Sequence, residues 1–264
     1  MHFDTRKVTE IGSYAFYSCS SIKNIQIPEN VTAFNLATFY RCESLLNIII
    51  PKNIIRMDDS VFSHCTSLIR VVFLCDIERI GSFSFTECIS LQNITIIGSV
   101  KEFTYGSFSS CISLPFMIFS ESTTSISCYS FQNCTGLKYV IIKGNLTVFG
   151  PWAFQHCIDL EYVIYLGLTM GNYGLNNFDN TKTKFVYVKE EYPNDNFAKF
   201  PIQYLPKSSF SFTHKITFKC LISSSYEFTQ SKVFSFSKFF SNSKNFTSSE
   251  SFSSSDIFSL SNKF

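Results

Sequence analysis

One spacing dominates the sequence: a Phe followed three residues later by a Cys recurs every 23 residues without a slip. The pairs run from Phe16 and Cys19 to Phe154 and Cys157, which makes seven units. A fixed period of this length is typical of solenoids, in which each unit buries its apolar side chains only by stacking on similar neighbours. The period therefore predicts a coil of stacked turns for this part of the chain.

Each unit also carries the pattern of a short strand. Apolar residues stand nine and eleven positions after the Phe, as in the pair Ile25 and Ile27. Residues two apart share one face of an extended chain, so both members of this pair are expected to face inward. Apolar residues on the return path, such as Val31 and Phe34, are also expected to point inward. We therefore predict a repeat solenoid with one short strand per 23-residue repeat, arranged as a parallel sheet with strands about 4.8 Å apart.

The unit from Leu68 to Cys88 reads Leu-x-x-Val-x-Phe-x-x-x-Ile-x-x-Ile-Gly-x-x-x-Phe-x-x-Cys. This pattern resembles the BspA-like, or treponemal-type, leucine-rich repeat, and the resemblance covers residues 8–166. It implies a leucine-rich-repeat coil. Members of that family are typically surface or secreted proteins implicated in adhesion, so the resemblance also implies a cell-surface or secreted location. It does not specify a ligand.

The composition divides the chain into four segments. Residues 1–12 fit the second half of a repeat, residues 13–166 hold the seven repeats, and residues 167–205 are predicted to form a loop and a C-terminal cap. Gly and Asn between 167 and 182 indicate an irregular loop, and a strand is predicted over 184–188. A cap is expected because the last turn would otherwise expose its apolar edge. Residues 206–264 are rich in Ser and Phe without a period, which predicts a disordered tail.

The cysteines and histidines do not form a recognisable chemical site. Zinc sites need closely spaced ligand pairs, and cysteines one turn apart would be too distant for a disulfide, so we predict that the repeated thiols are buried apolar plugs. His64 and His156 each precede such a Cys, which superficially suggests a thiol nucleophile. The same position in other units holds varied residues, which indicates a solvent-facing site: Ser18, Arg41, Glu87, Ser110 and Asn133. No catalytic motif is present, so no enzyme, metal or cofactor is expected.

Charge and hydropathy limit the classes of partner. A net charge of +2 gives no basic field that would favour nucleic acid or an anionic membrane. The sequence has no secretory signal at its start and no window of about 18 apolar residues. Membrane association is therefore expected only through segments outside this chain.

The informative positions alternate with the inward strand pair and should face outward. In the early units they are largely polar, whereas in the last three they are aromatic or aliphatic, a patch of roughly 300 to 600 Å², the size at which apolar surface tends to mark a partner. We expect a protein or extracellular-matrix ligand to bind here. Self-assembly through the same face, or cover by the Phe-rich tail, are the alternatives. The candidate partner-binding residues are Arg70, Val72, Phe116, Ile118, Tyr139, Ile141, Tyr162 and Ile164.

Overall fold

The computed structural model describes residues 8–205 of the 264-residue chain. The predicted partial repeat therefore lies only partly within this range, and the predicted tail lies outside it. The described chain winds through eight turns made of strands and tight turns, with no helix between residues 8 and 205. The solenoid predicted from the 23-residue period is confirmed.

Seventeen short strands build the coil. In chain order they are β1 (Glu10–Ile11), β2 (Ala33–Phe34), β3 (Asn47–Ile50), β4 (Arg56–Met57), β5 (Arg70–Phe73), β6 (Ile77–Ile80), β7 (Asn93–Ile96), β8 (Val100–Phe103), β9 (Phe116–Phe119), β10 (Ser125–Ile126), β11 (Tyr139–Ile142), β12 (Leu146–Phe149), β13 (Tyr162–Tyr165), β14 (Met170–Tyr173), β15 (Val186–Val188), β16 (Asn196–Phe197) and β17 (Phe200–Tyr204).

The strands lie on two sides of the coil. The strand predicted in the first repeat at Ile25 and Ile27 is absent, since the chain makes only an isolated bridge there between Asn24 and Asn47. The strands predicted in the later repeats lie on the front side, which consists of an N-terminal front sheet (β3, β5, β7) and a C-terminal front sheet in the order β9-β11-β13-β15-β17-β16. The other side is a continuous eight-stranded return sheet in the order β1-β2-β4-β6-β8-β10-β12-β14. Apart from the β16–β17 pair, all pairings are parallel. Each of the seven repeats thus has a strand on its return path, which we did not predict, and from the second repeat onward this strand is in addition to the front strand.

The repeated Phe residues form a single column through the core. From Phe16 to Phe154, neighbouring rings lie 4.8–5.4 Å apart between centroids and within 15° of parallel. Each Phe N–H donates to a backbone carbonyl of the next turn, for example Phe62 to Ser84 at 2.7 Å. Side-chain stacking and backbone hydrogen bonds therefore hold adjacent turns in the same register.

The front side is interrupted between β7 and β9. At the entrance to β11 and β13, Lys138 and Glu161 donate their backbone N–H to the carbonyl of the residue 23 positions earlier. The equivalent residue before β9 is Pro115, which has no N–H to donate to Gln92. The front side is consequently split into two sheets at this position.

Residues 167–182 are more regular than predicted. We expected an irregular loop, but Met170–Tyr173 pairs with β12 and completes the return sheet. Phe178 then stacks on Phe154 at 5.9 Å and 10°, so the core column gains an eighth ring. The glycine that suggested a loop serves close packing instead, since a Cβ on Gly171 would lie 2.4 Å from the carbonyl oxygen of Thr147.

The segment after this turn closes the front side. The strand predicted over 184–188 is present as β15, which pairs with β13. β17 adds next to β15, and β16 folds back antiparallel against β17. Phe197 on β16 is fully buried against Tyr165, with ring centroids 4.7 Å apart. This arrangement covers the last turn with the strand hairpin of β16 and β17.

Candidate partner-binding face

The structure brings six of the predicted residues together on the outward side of the C-terminal front sheet. Strands β9, β11 and β13 pair in parallel with no register shift. One outward column therefore contains the aromatic rings at the start of each strand, and a second column contains isoleucines two residues later. We call this set the apolar array: Phe116, Ile118, Tyr139, Ile141, Tyr162 and Ile164.

Exposure within the array is uneven. Phe116 is 41% exposed, and Ile118, Tyr139 and Tyr162 are half-buried. Ile141 and Ile164 were expected to be exposed, but only 4% and 5% of their surface is accessible, so this expectation is wrong. Both have a residue on either side in their column and a tyrosine two positions earlier on the same strand, and bulky neighbours on one sheet face shield each other.

The two tyrosines add a stacked surface. The rings of Tyr139 and Tyr162 lie 5.6 Å apart and nearly parallel. The ring of Tyr187 on β15, which pairs in register with Ile164, lies 6.3 Å from that of Tyr162. Burial raises the pKa of the Tyr162 phenol to about 12, and it raises the pKa of Tyr187 as well. These rings are therefore neutral at physiological pH and stand in a partly desolvated setting.

Arg70 and Val72 are not part of this array. They lie on β5, in the middle of the N-terminal front sheet, and both are half-buried. Arg70 pairs in register with Asn47 and Asn93, and Val72 pairs with Ile49 and Thr95. The break before β9 separates them from the other six predicted residues.

The cysteine column has a role that the sequence did not reveal. The described cysteines are all free thiols. Of the cysteines that follow each repeated Phe by three residues, which form the cysteine column, those from Cys42 to Cys157 are buried, as predicted. Each also donates from Sγ to the carbonyl of the Phe one turn earlier, for example Cys134 to Phe108 at 3.2 Å. Burial raises the pKa of thiols such as Cys65 and Cys111, so these donors stay protonated. In the sequence, the only sign of these hydrogen bonds is the constant spacing of 26 residues between each Cys and the Phe whose carbonyl accepts from it.

The two histidines lie where the sequence placed them. Neither His64 nor His156 is buried, and both adopt a left-handed backbone, with φ of 58° and 60°. His64 Nδ1 is 3.7 Å from Glu87 Oε2, on the next turn, and His156 Nδ1 is 3.2 Å from Asn180 Nδ2. Neither contact involves a thiol. In the described part of the chain no three His, Cys, Asp or Glu residues are grouped as a metal site would require.

The fold and the face define a repeat protein of the parallel β-solenoid class. The family model described as "BspA type Leucine rich repeat region" matches six copies, over residues 2–115, 56–184 and 101–239. The chain belongs to this family, as its repeat unit suggested. Within the described residues, no helix is long and apolar enough to cross a membrane.

Three similar solved structures are bacterial proteins. A leucine-rich-repeat protein of T. pallidum is 24% identical, with a TM-score of 0.47, and the match covers 66% of this chain and 70% of that one. A leucine-rich-repeat protein from Bacteroides ovatus is 24% identical, with a TM-score of 0.39, and the match covers 69% of this chain and 59% of that one. A leucine-rich cell surface protein from Faecalibacterium prausnitzii is 22% identical, with a TM-score of 0.33, and the match covers 60% of this chain and 57% of that one. No curated protein matches the chain.

Proposed function

We propose that the protein is a protein-binding module that uses the apolar array as its docking surface, at the cell surface or in the extracellular space. The observation that supports this most strongly is the exact side-by-side register of aromatic and aliphatic residues on β9, β11 and β13. Three neighbouring strands offer one continuous surface at positions where a solvated sheet face would be polar.

The chemistry of the array suits a protein ligand. Aromatic side chains are enriched among the residues that contribute most to protein interfaces, where they fill pockets on the partner. Phe116 at the edge of the array is exposed and can serve as such an anchor. The nearly buried Ile141 and Ile164 give the anchors a rigid support, which lowers the entropy lost on binding.

The polar N-terminal front sheet would limit the footprint of the partner. Its outward positions at the start of the strands are Asn47, Arg70 and Asn93, in register with one another. Burying amides and a guanidinium costs free energy unless a partner supplies matched hydrogen bonds. An apolar partner is therefore expected to dock C-terminal to the break before β9.

Binding to a panel of immobilised matrix proteins (fibronectin, laminin and collagen), measured by surface plasmon resonance, tests the proposal. Phe116→Ser removes the exposed anchor and is expected to weaken binding by at least tenfold, which corresponds to about 1.4 kcal/mol. Ile49→Ser is the matched control, because Ile49 is 53% exposed on the outward side of the other front sheet. Its binding should stay within about twofold of the parent protein.

Light scattering coupled to size-exclusion chromatography separates docking from self-assembly. A monomer at micromolar concentration, together with saturable matrix-protein binding that only Phe116→Ser weakens, supports the proposal. A dimer that Phe116→Ser dissociates would assign the array to self-assembly instead. Absence of binding to every panel member, or equal loss in both variants, contradicts the proposal.

A further inference from the structure

A second surface feature lies on the turns that lead into the Phe column, away from the apolar array. It is a cleft of about 200 Å³ at the middle of the coil. Its lining combines three aromatic rings with small and polar residues: Phe83, Tyr105, Gly106, Ser109, Tyr129 and Gln132. Phe83 and Tyr105 are more than 40% exposed, so the cleft opens to solvent.

Gly106 creates the cleft by interrupting a column of larger side chains. It holds the left-handed turn position that recurs every 23 residues, which Phe83 occupies one turn earlier and Tyr129 one turn later, all with φ of 58°. A Cβ on Gly106 would lie 2.9 Å from the Phe83 ring. Phe83 and Tyr129 lie two turns apart, about 10 Å at the usual spacing of strands. Gly106, on the turn between them, contributes no side chain.

Tyr105 contributes the middle ring in a different orientation. Its centroid is 5.2 Å from those of both Phe83 and Tyr129, and its plane is tilted by 67° and 64° from theirs. The cleft therefore presents ring faces and ring edges in more than one direction. A flat ligand would stack on only one of these planes, whereas a puckered ring with C–H groups on its faces can contact several.

The polar part of the lining is uncharged. Gln132 Nε2 donates to Gln155 Oε1 at 2.7 Å, which leaves its own amide oxygen as an acceptor. Among residues 8–205, the hydroxyl groups of Tyr105, Ser109 and Tyr129 have no hydrogen-bond partner. Three hydroxyls and an amide beside aromatic rings suit a neutral ligand with many hydroxyl groups.

We propose that this cleft binds one pyranose unit of a neutral oligosaccharide. The sugar's C–H faces pack on the aromatic rings, and its hydroxyl groups exchange hydrogen bonds with Ser109, Gln132 and the tyrosine hydroxyls. A ligand of this size binds with a dissociation constant on the order of 1 mM. This inference does not rest on the proposed docking function of the apolar array.

The single tryptophan provides the readout. Trp152 stacks on Tyr129, with ring centroids 5.1 Å apart, so a ligand in the cleft should change its fluorescence. Cellohexaose and chitohexaose, titrated separately into the full chain, are the probes. We expect a saturable change with at least one of them, and none with adenosine, a planar aromatic control ligand.

Two variants remove rings of the cleft. Neither leaves a cavity in the core, because both side chains are exposed. Phe83→Ser and Tyr105→Ser should each weaken oligosaccharide binding about tenfold. Serine is acceptable at the left-handed position of Phe83, since Ser60 holds that position in an earlier turn with φ of 58°. Tyr14→Ser is the matched control, because Tyr14 is an exposed aromatic residue at the same turn position but far from the cleft along the coil.

Loss of binding in both cleft variants, with parent-like binding by Tyr14→Ser and unchanged circular dichroism, supports the proposal. The proposal is overturned if neither oligosaccharide gives a saturable change, if adenosine binds in their place, or if Tyr14→Ser loses binding as the cleft variants do. Matrix-protein binding by the Phe83→Ser variant should match that of the parent protein, so this test and that of the apolar array can fail independently.

Discussion

The two front sheets share one interior and differ on their outward sides. Inward, both present aliphatic residues at the same strand position, such as Val71 on β5 and Val140 on β11, and both of these are fully buried. Outward, the N-terminal front sheet carries Asn47 and Asn93 where the C-terminal one carries Phe116 and Tyr139. The inward column is fixed by stacking, whereas the outward column can change without affecting the coil. A difference confined to the outward column therefore points to a role in binding.

The position of the break strengthens this comparison. Pro115 interrupts the hydrogen bonding between β7 and β9, and the outward residue at the start of each strand changes from Asn or Arg to an aromatic residue at the same place. The return sheet runs through all eight turns without interruption. The coil is thus continuous on one side and has two chemically distinct parts on the other.

The largest expected effect tests whether the interior is shared. Phe131→Ala removes a fully buried ring beneath the C-terminal front sheet, and Phe62→Ala does the same beneath the N-terminal one. Each should lower the free energy of unfolding by about 3 to 5 kcal/mol, because a large cavity is left and each turn is supported only by its neighbours. Chemical denaturation of both variants checks this. A cost below about 1 kcal/mol for either one would show that the halves do not share a uniform core.

The next effect should appear in only one half. Tyr165 occupies the strand position that Phe73 fills in the N-terminal half, and its hydroxyl accepts from Leu146 N at 3.2 Å and donates to the Thr169 carbonyl. Burial raises the pKa of the Tyr165 phenol from its ordinary value of 10 to about 12. The folded state therefore holds this proton more tightly than the unfolded state. The resulting stabilisation is complete below pH 10 and is lost as the pH rises from 10 to 12.

Tyr165→Phe separates the stability that comes from the two hydrogen bonds of the hydroxyl from the stability that depends on its proton. At pH 7 it should cost about 1 to 2 kcal/mol, since a buried N–H and a carbonyl lose their partner. Above pH 10 the variant should lose stability less steeply than the parent protein. Urea unfolding between pH 7 and about 11.5 measures both quantities. An equal dependence of the free energy of unfolding on pH in the two proteins would contradict the assignment.

A smaller effect is expected from the cysteine column. Cys134→Ala removes a buried sulfur and its bond to the Phe108 carbonyl, but that carbonyl still accepts from Cys111 N at 3.3 Å. The carbonyl is not left without a partner, so the cost should be about 1 kcal/mol. Cys65→Ala, in the other half, should behave alike. In the native protein neither thiol should react with a thiol reagent at pH 8, because both are fully buried and therefore inaccessible to the reagent.

The smallest effect concerns the break itself. Pro115→Gln supplies the missing N–H opposite Gln92, and glutamine is the residue at this position one turn earlier. The added hydrogen bond and the lost rigidity of proline nearly offset each other, so stability should change by less than about 1 kcal/mol. Amide hydrogen exchange should nevertheless slow in β9. Unchanged exchange there would show that Pro115 is not what separates the two front sheets.

The sequence predicted the solenoid because inward residues obey two simple rules, the 23-residue period and the alternation within the front strands. It did not predict the return sheet. There the buried residues are three apart, as in Val100 and Phe103 on β8, where both ends are buried and the two residues between them are not. A spacing of three does not match the period of two that identifies strands. Gly171 similarly indicated a loop where it allows close packing of two strands.

The sequence predicted which residues lie on the outward face, but it did not predict how deeply each of them is buried. Strand alternation placed all six residues of the apolar array on one side, which the pairing of β9, β11 and β13 confirms. Alternation cannot report how far neighbouring side chains shield each other, and the near-complete burial of Ile141 and Ile164 was therefore missed. The cleft at Gly106 was missed because it depends on one absent side chain between two turns.

Hydrogen exchange with and without a bound matrix protein tests the central claim most directly. We expect binding to slow amide exchange in β9, β11 and β13 and to leave exchange in β3 and β5 unchanged. Slower exchange confined to the return sheet or to the N-terminal front sheet would contradict the claim that the apolar array is the docking surface.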